Sequence, residues 1–316
     1  MGVVLTRLRH VNRDFSDVLT DGPWKHEFVS ANGTRFHVVV AEPEQRPAPL
    51  VILLHSFPQF WWAWRHQIPA LTAAGYRVAA MDMRGTGASD KPPAGYDMAT
   101  RTRDVAGVIR SLGEQNAVII GHGLGGVTAW SMAALQPSVT KAVGALAAPH
   151  PAHVHTSTRS MLSRSGFAQV SLFRVPSLTE RALIKPDALA KLMNSWAHVK
   201  FAQDDIDVYA NALGIPFAAR NSLEPLRWYT HSLPSVLGRR FLQSVRTPVN
   251  VPALQLQGAQ DHYLRRESAS ADSSAFCTNL RYEVLADAGH FLPEETPETV
   301  NSIILDWLHD SVHPQR

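Results

Sequence analysis

The stretch that most constrains the fold of this 316-residue chain is an apolar run entering a glycine-rich turn, AVIIGHGLGG at residues 117–126. The run predicts a buried strand, and a helix is expected to begin at about Leu124. This strand–turn–helix arrangement, a nucleophile elbow, lifts the central side chain of the turn above the end of a parallel sheet. The flanking positions must be small, as Gly121 and Gly125 are. The central residue is Gly123, so the turn lacks the side chain that an elbow normally presents.

Strands and helices alternate on both sides of the turn. Asn-Gly at residues 32–33 predicts a hairpin between strands at 24–29 and 35–41, preceded by a short helix or arm within residues 1–22. The continuous apolar run at 50–54 is typical of a central parallel strand covered on both faces. Further strands are predicted at 76–81, 141–148, 251–256 and 280–285, and helices at 61–74, 98–112, 124–135, 267–274 and 297–308. This alternation predicts an α/β fold with a mostly parallel sheet and helices on both faces.

The alternation stops after residue 149. From there to about residue 233 the sequence is helical in pattern, contains Trp and Phe, and shows no convincing strand. We therefore predict a core formed by residues 1–149 and 234–316. Residues 150–233 are predicted to form an all-helical cap over the carboxyl edge of the sheet.

The composition excludes several classes of protein. Lys and Arg are scattered and the net charge is only +3, so a nucleic-acid partner is not expected. Cys277 is the single cysteine, which excludes an intrachain disulfide and a multi-cysteine zinc site. No apolar run reaches the roughly 20 residues that span a bilayer, and no secretory signal is evident. We expect a cytoplasmic protein without metal, cofactor or membrane contact; the sequence leaves open whether it forms a homodimer.

Two candidate catalytic residues follow the elbow in the chain. Asp261 stands just after a predicted strand, and His290 stands in a Gly-containing loop just before the last helix. A carboxylate that is hydrogen-bonded to one imidazole nitrogen leaves the other nitrogen free as a general base. The order elbow, acid, histidine is the one that α/β-hydrolases use.

Backbone amides near the elbow are candidates for an oxyanion hole. The segment HSFP at 55–58 follows the first central strand, where one such N–H group is supplied. We predict that the amides of Phe57 and Leu124 serve this purpose. His55 and His122 are predicted to be structural.

Three motifs carry a resemblance to a known family. They are HSFPQFWWAWRHQIPAL at 55–71, DMRGTGASDKP at 82–92 and GYD at 95–97. The chain resembles the epoxide hydrolase branch of the α/β-hydrolase family, to which haloalkane dehalogenases are related. The resemblance covers most of the predicted core and implies the α/β-hydrolase fold.

The resemblance also implies that several residues of the family's active site are replaced in this chain. The family elbow is Gly-His-Asp-Trp-Gly-Gly, whose Asp attacks the epoxide carbon and forms an ester that the acid–histidine pair hydrolyses. Here Gly123 stands for the Asp and Leu124 for the Trp. In members of this family, two tyrosines of the cap donate hydrogen bonds to the oxirane oxygen. The stretch PLRWY at 225–229 resembles one of them, so Tyr229 is a candidate proton donor, and counting back from Pro176 places Gln169 at the other position.

Several hypotheses follow for function. In the first, Asp261 and His290 activate water in a hydrolase acting on a small apolar substrate; the same pair could instead remove a proton in a lyase or isomerase reaction. In the second, the protein is a non-catalytic ligand-binding protein or sensor. The apolar ligand or substrate would lie among the following aromatic side chains: Phe57, Trp61, Trp228 and Tyr229.

A third hypothesis is that an experimenter placed Gly123 where an Asp or Ser stood. The further departures at Leu124 and Gln169 argue against a single engineered change. Ser56, which replaces a family Gly, offers a hydroxyl as a displaced nucleophile. We expect Ser56 to be only a tolerated small residue, because no base is obviously placed to activate it.

Overall fold

A sheet of eight strands forms the centre of the molecule. The structure is a computed structural model and describes residues 13–45, 47–154, 158–175, 177–269 and 271–312. The strands are β1 (Lys25–Ala31), β2 (Thr34–Ala41), β3 (Leu50–Leu54), β4 (Arg77–Met81), β5 (Ala117–His122), β6 (Thr140–Leu146), β7 (Ala253–Gly258) and β8 (Leu280–Leu285). They lie in the order β1-β2-β4-β3-β5-β6-β7-β8. Strand β2 is antiparallel to β1 and β4, and every other neighbouring pair is parallel.

Helices cover the sheet and make up most of the chain segment that connects β6 to β7. The described α-helices are α1 (Gln67–Ala73), α2 (Met98–Ser111), α3 (Leu124–Leu135), α4 (Arg164–Leu172), α5 (Leu178–Leu183), α6 (Pro186–Asn194), α7 (Gln203–Gly214), α8 (Ala218–His231), α9 (Val236–Ser244), α10 (Arg266–Ala269), α11 (Leu292–Glu295) and α12 (Pro297–Val312). Short 3-10 helices lie at Phe15–Val18, Trp61–Trp64, Pro137–Val139, Pro151–His153, Thr158–Ser160 and Ser274–Phe276.

The central strands are buried on both faces. Val51 and Leu53 of β3 belong to one hydrophobic cluster, and Leu50, Ile52 and Leu54 belong to a second. Successive side chains of a strand point to opposite faces, so the two clusters lie on opposite sides of the sheet. This explains why the run is apolar at each position and confirms the prediction of a sheet with helices on both faces.

The hairpin between β1 and β2 forms where the sequence predicts it. Asn32 and Gly33 have φ angles of 46° and 72°. Positive φ at both central residues is the requirement of a type I′ turn, and Asn-Gly satisfies it at little cost. The arm predicted for residues 1–22 is described only from residue 13, with a 3-10 helix at Phe15–Val18; residues 1–12 lie outside the described ranges.

Two predicted helices are wrong in extent. The helix expected at 61–74 is divided into a 3-10 turn, Trp61–Trp64, and α1. The helix expected at 267–274 ends early, as α10 followed by the 3-10 turn Ser274–Phe276. Residues 268–274 contain four serines, whose side chains compete with helical backbone bonds.

The segment between β6 and β7 is helical. In its described residues the β-type pairings are two isolated bridges, Leu162 with Leu264 and Val249 with Cys277. Helices α4 to α8 fall within the predicted insertion, and α9 follows it. The bounds of the cap, 150–233, remain a prediction. Cys277 is half-buried, and burial raises the pKa of its thiol to about 12.

Candidate active site

The turn between β5 and α3 has the backbone of an elbow. Gly123 has φ 49° and ψ −115°, a conformation that L side chains rarely adopt. A Cβ on Gly121 would lie 2.1 Å from Gly125 O, and a Cβ on Gly125 would lie 2.2 Å from Leu54 O. Neither position has room for a side chain, because the helix begins directly against β3 and β5. The glycines on either side of Gly123 are therefore required by packing.

Asp261 and His290 are joined across the ends of β7 and β8. His290 Nδ1 lies 2.8 Å from Asp261 Oδ2, and both side chains are at most 2% exposed. Asp261 Oδ1 accepts the N–H groups of Tyr263 and Leu264, at 2.8 and 2.9 Å. Because the carboxylate only accepts, Nδ1 carries the imidazole proton and Nε2 keeps its lone pair. The pair is therefore arranged so that Nε2 can take a proton.

Glu295 fixes the loop that carries His290. Its carboxylate accepts the N–H of Gly289 at 3.0 Å and that of Phe291 at 2.8 Å, on the two sides of the histidine. The same carboxylate accepts the N–H groups of His198 and Val199, in the segment between α6 and α7. One carboxylate thus ties the histidine loop to the helical segment. Sequence reasoning missed it, although an acidic residue in the first turn after the loop was the available signal.

His122 supports the histidine loop from below. It is 1% exposed, and its Nε2 lies 2.7 Å from the carbonyl oxygen of His290. Burial lowers the pKa of His122 to about 3, so the ring is neutral at ordinary pH. His55 is buried as well: Met83 N–H donates to its Nε2 at 3.1 Å, and burial lowers its pKa to about 4. Both rings have the buried, hydrogen-bonded surroundings of structural residues.

Two amides stand near the elbow as expected. Leu124 N–H donates to Ser56 Oγ at 3.2 Å. Phe57 is 5% exposed, and its N–H has no hydrogen bond to another group in the described part of the chain. An amide without a partner at this place is suited to an oxygen that gains negative charge.

Ser56 takes up the space of the missing elbow side chain. A Cβ built on Gly123 would lie 2.3 Å from Ser56 Oγ and 3.4 Å from His290 Nε2. The hydroxyl and the imidazole nitrogen therefore flank the same point. The expectation that no base stands near Ser56 is wrong, because chain order alone did not show how closely the loops after β3 and β8 approach each other.

An apolar cavity with about 60 Å³ of free space adjoins this point. Its walls come from the core and from the helical segment between β6 and β7. The lining includes Ser56, Phe57, Gly123, Leu124, Val127, Ala147, Ala148, Pro149, Thr158, Met161, Leu162, Trp196, Leu226, Tyr229, Thr230, Tyr263, Leu264 and His290. Mostly apolar walls with a few convergent polar groups are typical of sites for small molecules.

Two tyrosines line the cavity. Tyr229 is 7% exposed, and its buried hydroxyl has no hydrogen-bond partner among the residues that the structure describes. Burial raises the pKa of Tyr229, which keeps the group protonated as a donor. Tyr263 was not predicted as a site residue. Its ring centroid lies 4.9 Å from that of the His290 imidazole. Its position two residues after Asp261 was the signal that sequence reasoning overlooked.

Three predicted substrate-contacting residues lie outside the cavity lining. Trp61 is fully buried in the core, where its indole N–H donates to Val18 O. Trp228 packs against Phe241 on the outer side of α8. Gln169 lies behind the wall, and its Oε1 accepts the indole N–H of Trp196. The expectation that these three side chains contact the ligand is therefore not met by the geometry: Trp196 forms the wall instead.

Comparison with known proteins identifies the family. A model of the alpha/beta hydrolase fold matches residues 49–297. The chain is 32% identical over 291 residues to the AB hydrolase superfamily protein YfhM of Bacillus subtilis (strain 168), covering 90% of this chain and 98% of that protein. It is 30% identical over 292 residues to Epoxide hydrolase 3 of Xenopus tropicalis, and the match covers 88% of this chain and 76% of that protein. The crystal structure of Epoxide Hydrolase A from Mycobacterium thermoresistibile aligns with a TM-score of 0.71 at 25% identity, covering 90% of this chain and 98% of that one.

The chain therefore belongs to the α/β-hydrolase fold family, and it is an epoxide hydrolase-like member. In the described ranges, no three His, Cys, Asp or Glu side chains are grouped so as to hold a metal ion. No helix there is long and apolar enough to cross a membrane. The cytoplasmic location, the absence of a nucleic-acid partner and the oligomeric state stay predictions.

Proposed function

We propose that this protein is a cofactor-free hydrolase of small apolar molecules, in which His290, oriented by Asp261, acts as the general base. The observation that carries the proposal is the buried Asp261–His290 pair, whose free Nε2 faces an apolar cavity beside an unpartnered amide. Relatives that are named epoxide hydrolases support a hydrolytic reaction on small apolar substrates. The substrates to examine first are epoxides, esters and lactones.

The chemistry follows from the positions of the polar groups. His290 Nε2 takes the proton of an attacking water, while Asp261 stabilises the imidazolium that forms. The N–H groups of Phe57 and Leu124 stabilise the negative charge that develops on the substrate oxygen. Positioned acid–base catalysis contributes about 10²–10⁴-fold, so we expect a modest enzyme or a reactive substrate.

Tyr229 serves as the proton donor in this proposal. Its hydroxyl is buried at the cavity and unpartnered within the described residues, which costs free energy in the absence of a ligand. A substrate oxygen that accepts this O–H group removes that cost. An oxirane oxygen, which gains charge as the ring opens, fits this position.

The helical segment at 150–233 serves as the cap of this site. It supplies Met161, Trp196, Leu226 and Tyr229 to the cavity wall. Closure by these side chains keeps the reacting groups away from bulk water, which strengthens the electrostatic interactions inside.

A second candidate is a ligand-binding protein without turnover. The observation that favours it is Gly123, because the elbow carries no nucleophilic side chain. The fold, the cavity and Tyr229 would then be retained for binding alone. Saturable quenching of Trp196 fluorescence without product formation supports this candidate.

A substrate panel with matched variants tests the proposal. We expect hydrolysis of at least one epoxide, activated ester or lactone, and a loss of about 10²–10⁴-fold in kcat/KM in His290→Ala and in Asp261→Asn. His153→Ala, in the 3-10 turn after β6 and outside the cavity lining, serves as the control. Turnover that survives His290→Ala contradicts the proposal, as does saturable binding without turnover across the whole panel.

A further inference from the structure

We propose that Ser56 is a displaced nucleophile, which attacks the carbonyl carbon of small apolar esters from the place where an elbow side chain normally stands. The inference rests on the proposed function, because the same His290 supplies the base. It goes beyond that function by assigning the attacking atom and by narrowing the substrate class to acyl compounds.

The position of the hydroxyl is the first argument. Ser56 Oγ and His290 Nε2 lie 2.3 Å and 3.4 Å from the point that a Gly123 Cβ would occupy. Ser56 is 6% exposed and lines the cavity together with His290. The space that Gly123 leaves is thus filled by another oxygen, on the side of the base.

The hydrogen bonding of the hydroxyl is the second argument. Ser56 Oγ accepts the N–H of Leu124 at 3.2 Å, which stabilises negative charge on that oxygen. In this route the N–H of Phe57 is left to stabilise the oxyanion. Its own proton is donated to no acceptor within the described residues, and His290 Nε2 accepts no proton from them. The two groups are not hydrogen-bonded to each other in this ligand-free structure. Pairs of nucleophile and base are often looser before substrate binds.

A buried cation near the serine is the third argument. Arg101 is 2% exposed, and no ion pair joins it to a carboxylate of the described chain; its Nε donates to Thr128 Oγ1 at 3.2 Å. It lines a cavity of only about 10 Å³ that Ser56 and Leu124 also line. Asp104 and Asp97 interact electrostatically with this guanidinium but form no ion pair with it in the described chain. A cation in a dry site favours anionic oxygen beside it. The positive potential therefore assists both the attacking oxygen and the oxyanion.

The reaction that this arrangement supports is acyl transfer through Ser56. Ser56 Oγ forms a bond to the carbonyl carbon as its proton passes to His290 Nε2. The carbon–oxygen bond to the alcohol then breaks, and His290 returns the proton to the leaving alcohol. Water attacks the acyl-Ser56 ester, its proton goes to His290, and the acid is released as the proton returns to Ser56 Oγ.

An enzyme that attacks through Ser56 cannot hydrolyse epoxides catalytically. A serine that opens an epoxide forms an ether, whereas the carboxylate of the family elbow forms an ester that water can cleave at its carbonyl. An ether has no carbonyl for water to attack. Ser56 therefore selects esters, thioesters and lactones, and an epoxide that reacts with it remains attached.

The experiment combines ester kinetics with mass analysis of the intact protein. We expect the wild type to hydrolyse p-nitrophenyl butyrate and to be labelled once, at Ser56, by an alkyl fluorophosphonate. Ser56→Ala is expected to lose about 100-fold or more in ester kcat and to escape labelling. Ser131→Ala serves as the control, because Ser131 is a buried serine on α3 that donates to Val127 O and lines neither cavity. Circular dichroism melting shows whether each variant is folded.

The outcomes separate the two proposals. Ester hydrolysis that persists within twofold in folded Ser56→Ala, or a wild type that hydrolyses the ester without labelling at Ser56, overturns the inference and leaves His290-activated water as the mechanism. If Ser56→Ala does not fold, labelling of the wild type at Ser56 and its loss in His290→Ala decide the question. A wild type that neither turns over any substrate nor reacts with the fluorophosphonate overturns both proposals.

Discussion

Gly123 and Ser56 are coupled by the space that they share. A Cβ at residue 123 would lie 2.3 Å from Ser56 Oγ, so the hydroxyl would have to move, and 3.0 Å from Ser56 Cβ, which is a tight contact. The resemblance implies a side chain at the elbow and a glycine at residue 56, and this chain has the reverse. We therefore expect the two departures to compensate each other.

A double-mutant cycle tests this coupling. Gly123→Asp alone is expected to destabilise the protein by at least about 1–3 kcal/mol, because Asp at φ 49° is strained and also contacts Ser56. Gly123→Asp combined with Ser56→Gly is expected to recover about 1 kcal/mol or more relative to additivity, since the contact is removed. Urea unfolding of the four proteins measures the coupling, and strict additivity would contradict it. Epoxide hydrolysis that arises only in the double variant would show that the rest of the site still suits the family reaction.

Among the secondary-structure elements, the site depends on the contacts that fix the loop after β8, which carries His290. Glu295, at the end of α11, accepts four backbone N–H groups: Gly289, Phe291, His198 and Val199. Two of them flank His290, and two belong to the segment between α6 and α7. The orientation of His290 and the docking of that segment are therefore set by the same carboxylate.

Replacement of this carboxylate tests the positioning role. Glu295→Gln keeps the size but turns one acceptor oxygen into a donor. Either the N–H of Phe291, on Oε1, or those of Gly289, His198 and Val199, on Oε2, then lose their partner. We expect a loss of about 2–4 kcal/mol in the free energy of unfolding and a fall of about tenfold in kcat, with a smaller change in KM. The control is Glu298→Gln, an exposed glutamate at the start of α12, which is expected to leave kcat unchanged. A stable Glu295→Gln protein with the kcat of the wild type would refute the role.

Over the whole molecule, a second carboxylate joins distant elements. A carboxylate oxygen of Glu294 lies 2.6 Å from Nη1 of Arg65, the residue after the 3-10 turn Trp61–Trp64. The same oxygen accepts the hydroxyl of Tyr209 on α7 at 2.6 Å. Glu294 also accepts the amide of Gln59. Burial raises the pKa of Glu294 to about 7 from 4.5, although Arg65 offsets part of the cost of burying the charge. Core and helical segment thus meet at a group that titrates near neutral pH.

The pH dependence of stability follows from this shift. A carboxyl group whose pKa is raised in the folded protein stabilises the fold fully below its unfolded pKa and loses this contribution as pH rises through the folded pKa. Relative to Glu294→Gln, the wild type is expected to lose on the order of 3 kcal/mol of unfolding free energy between about pH 4.5 and pH 7. Urea unfolding of both proteins over that range measures the difference. A constant difference between them would contradict the shift.

Much of the fold follows from local pattern. The apolar run of β3 must be covered on both faces, the Asn-Gly turn sets the β1–β2 hairpin, and the glycines at 121 and 125 permit only an elbow. Chain order was also enough to predict the pairing of Asp261 with His290. The extents of α10 and the helix after Trp61 were less predictable, because serine-rich and aromatic segments adopt helix or turn according to their neighbours.

The sequence by itself determined the architecture and the absence of a side chain at the elbow, because periodicity and residue identity are local properties. Only the tertiary structure decided which aromatic residues line the cavity. Trp61 is buried in the core, Trp228 packs against Phe241 away from the cavity, and Trp196 forms part of the cavity wall. The tertiary structure also decided that Ser56 stands where the elbow side chain is missing. That position depends on the approach of loops after β3, β5 and β8, which are distant in the chain and brought together only by the order of strands in the sheet.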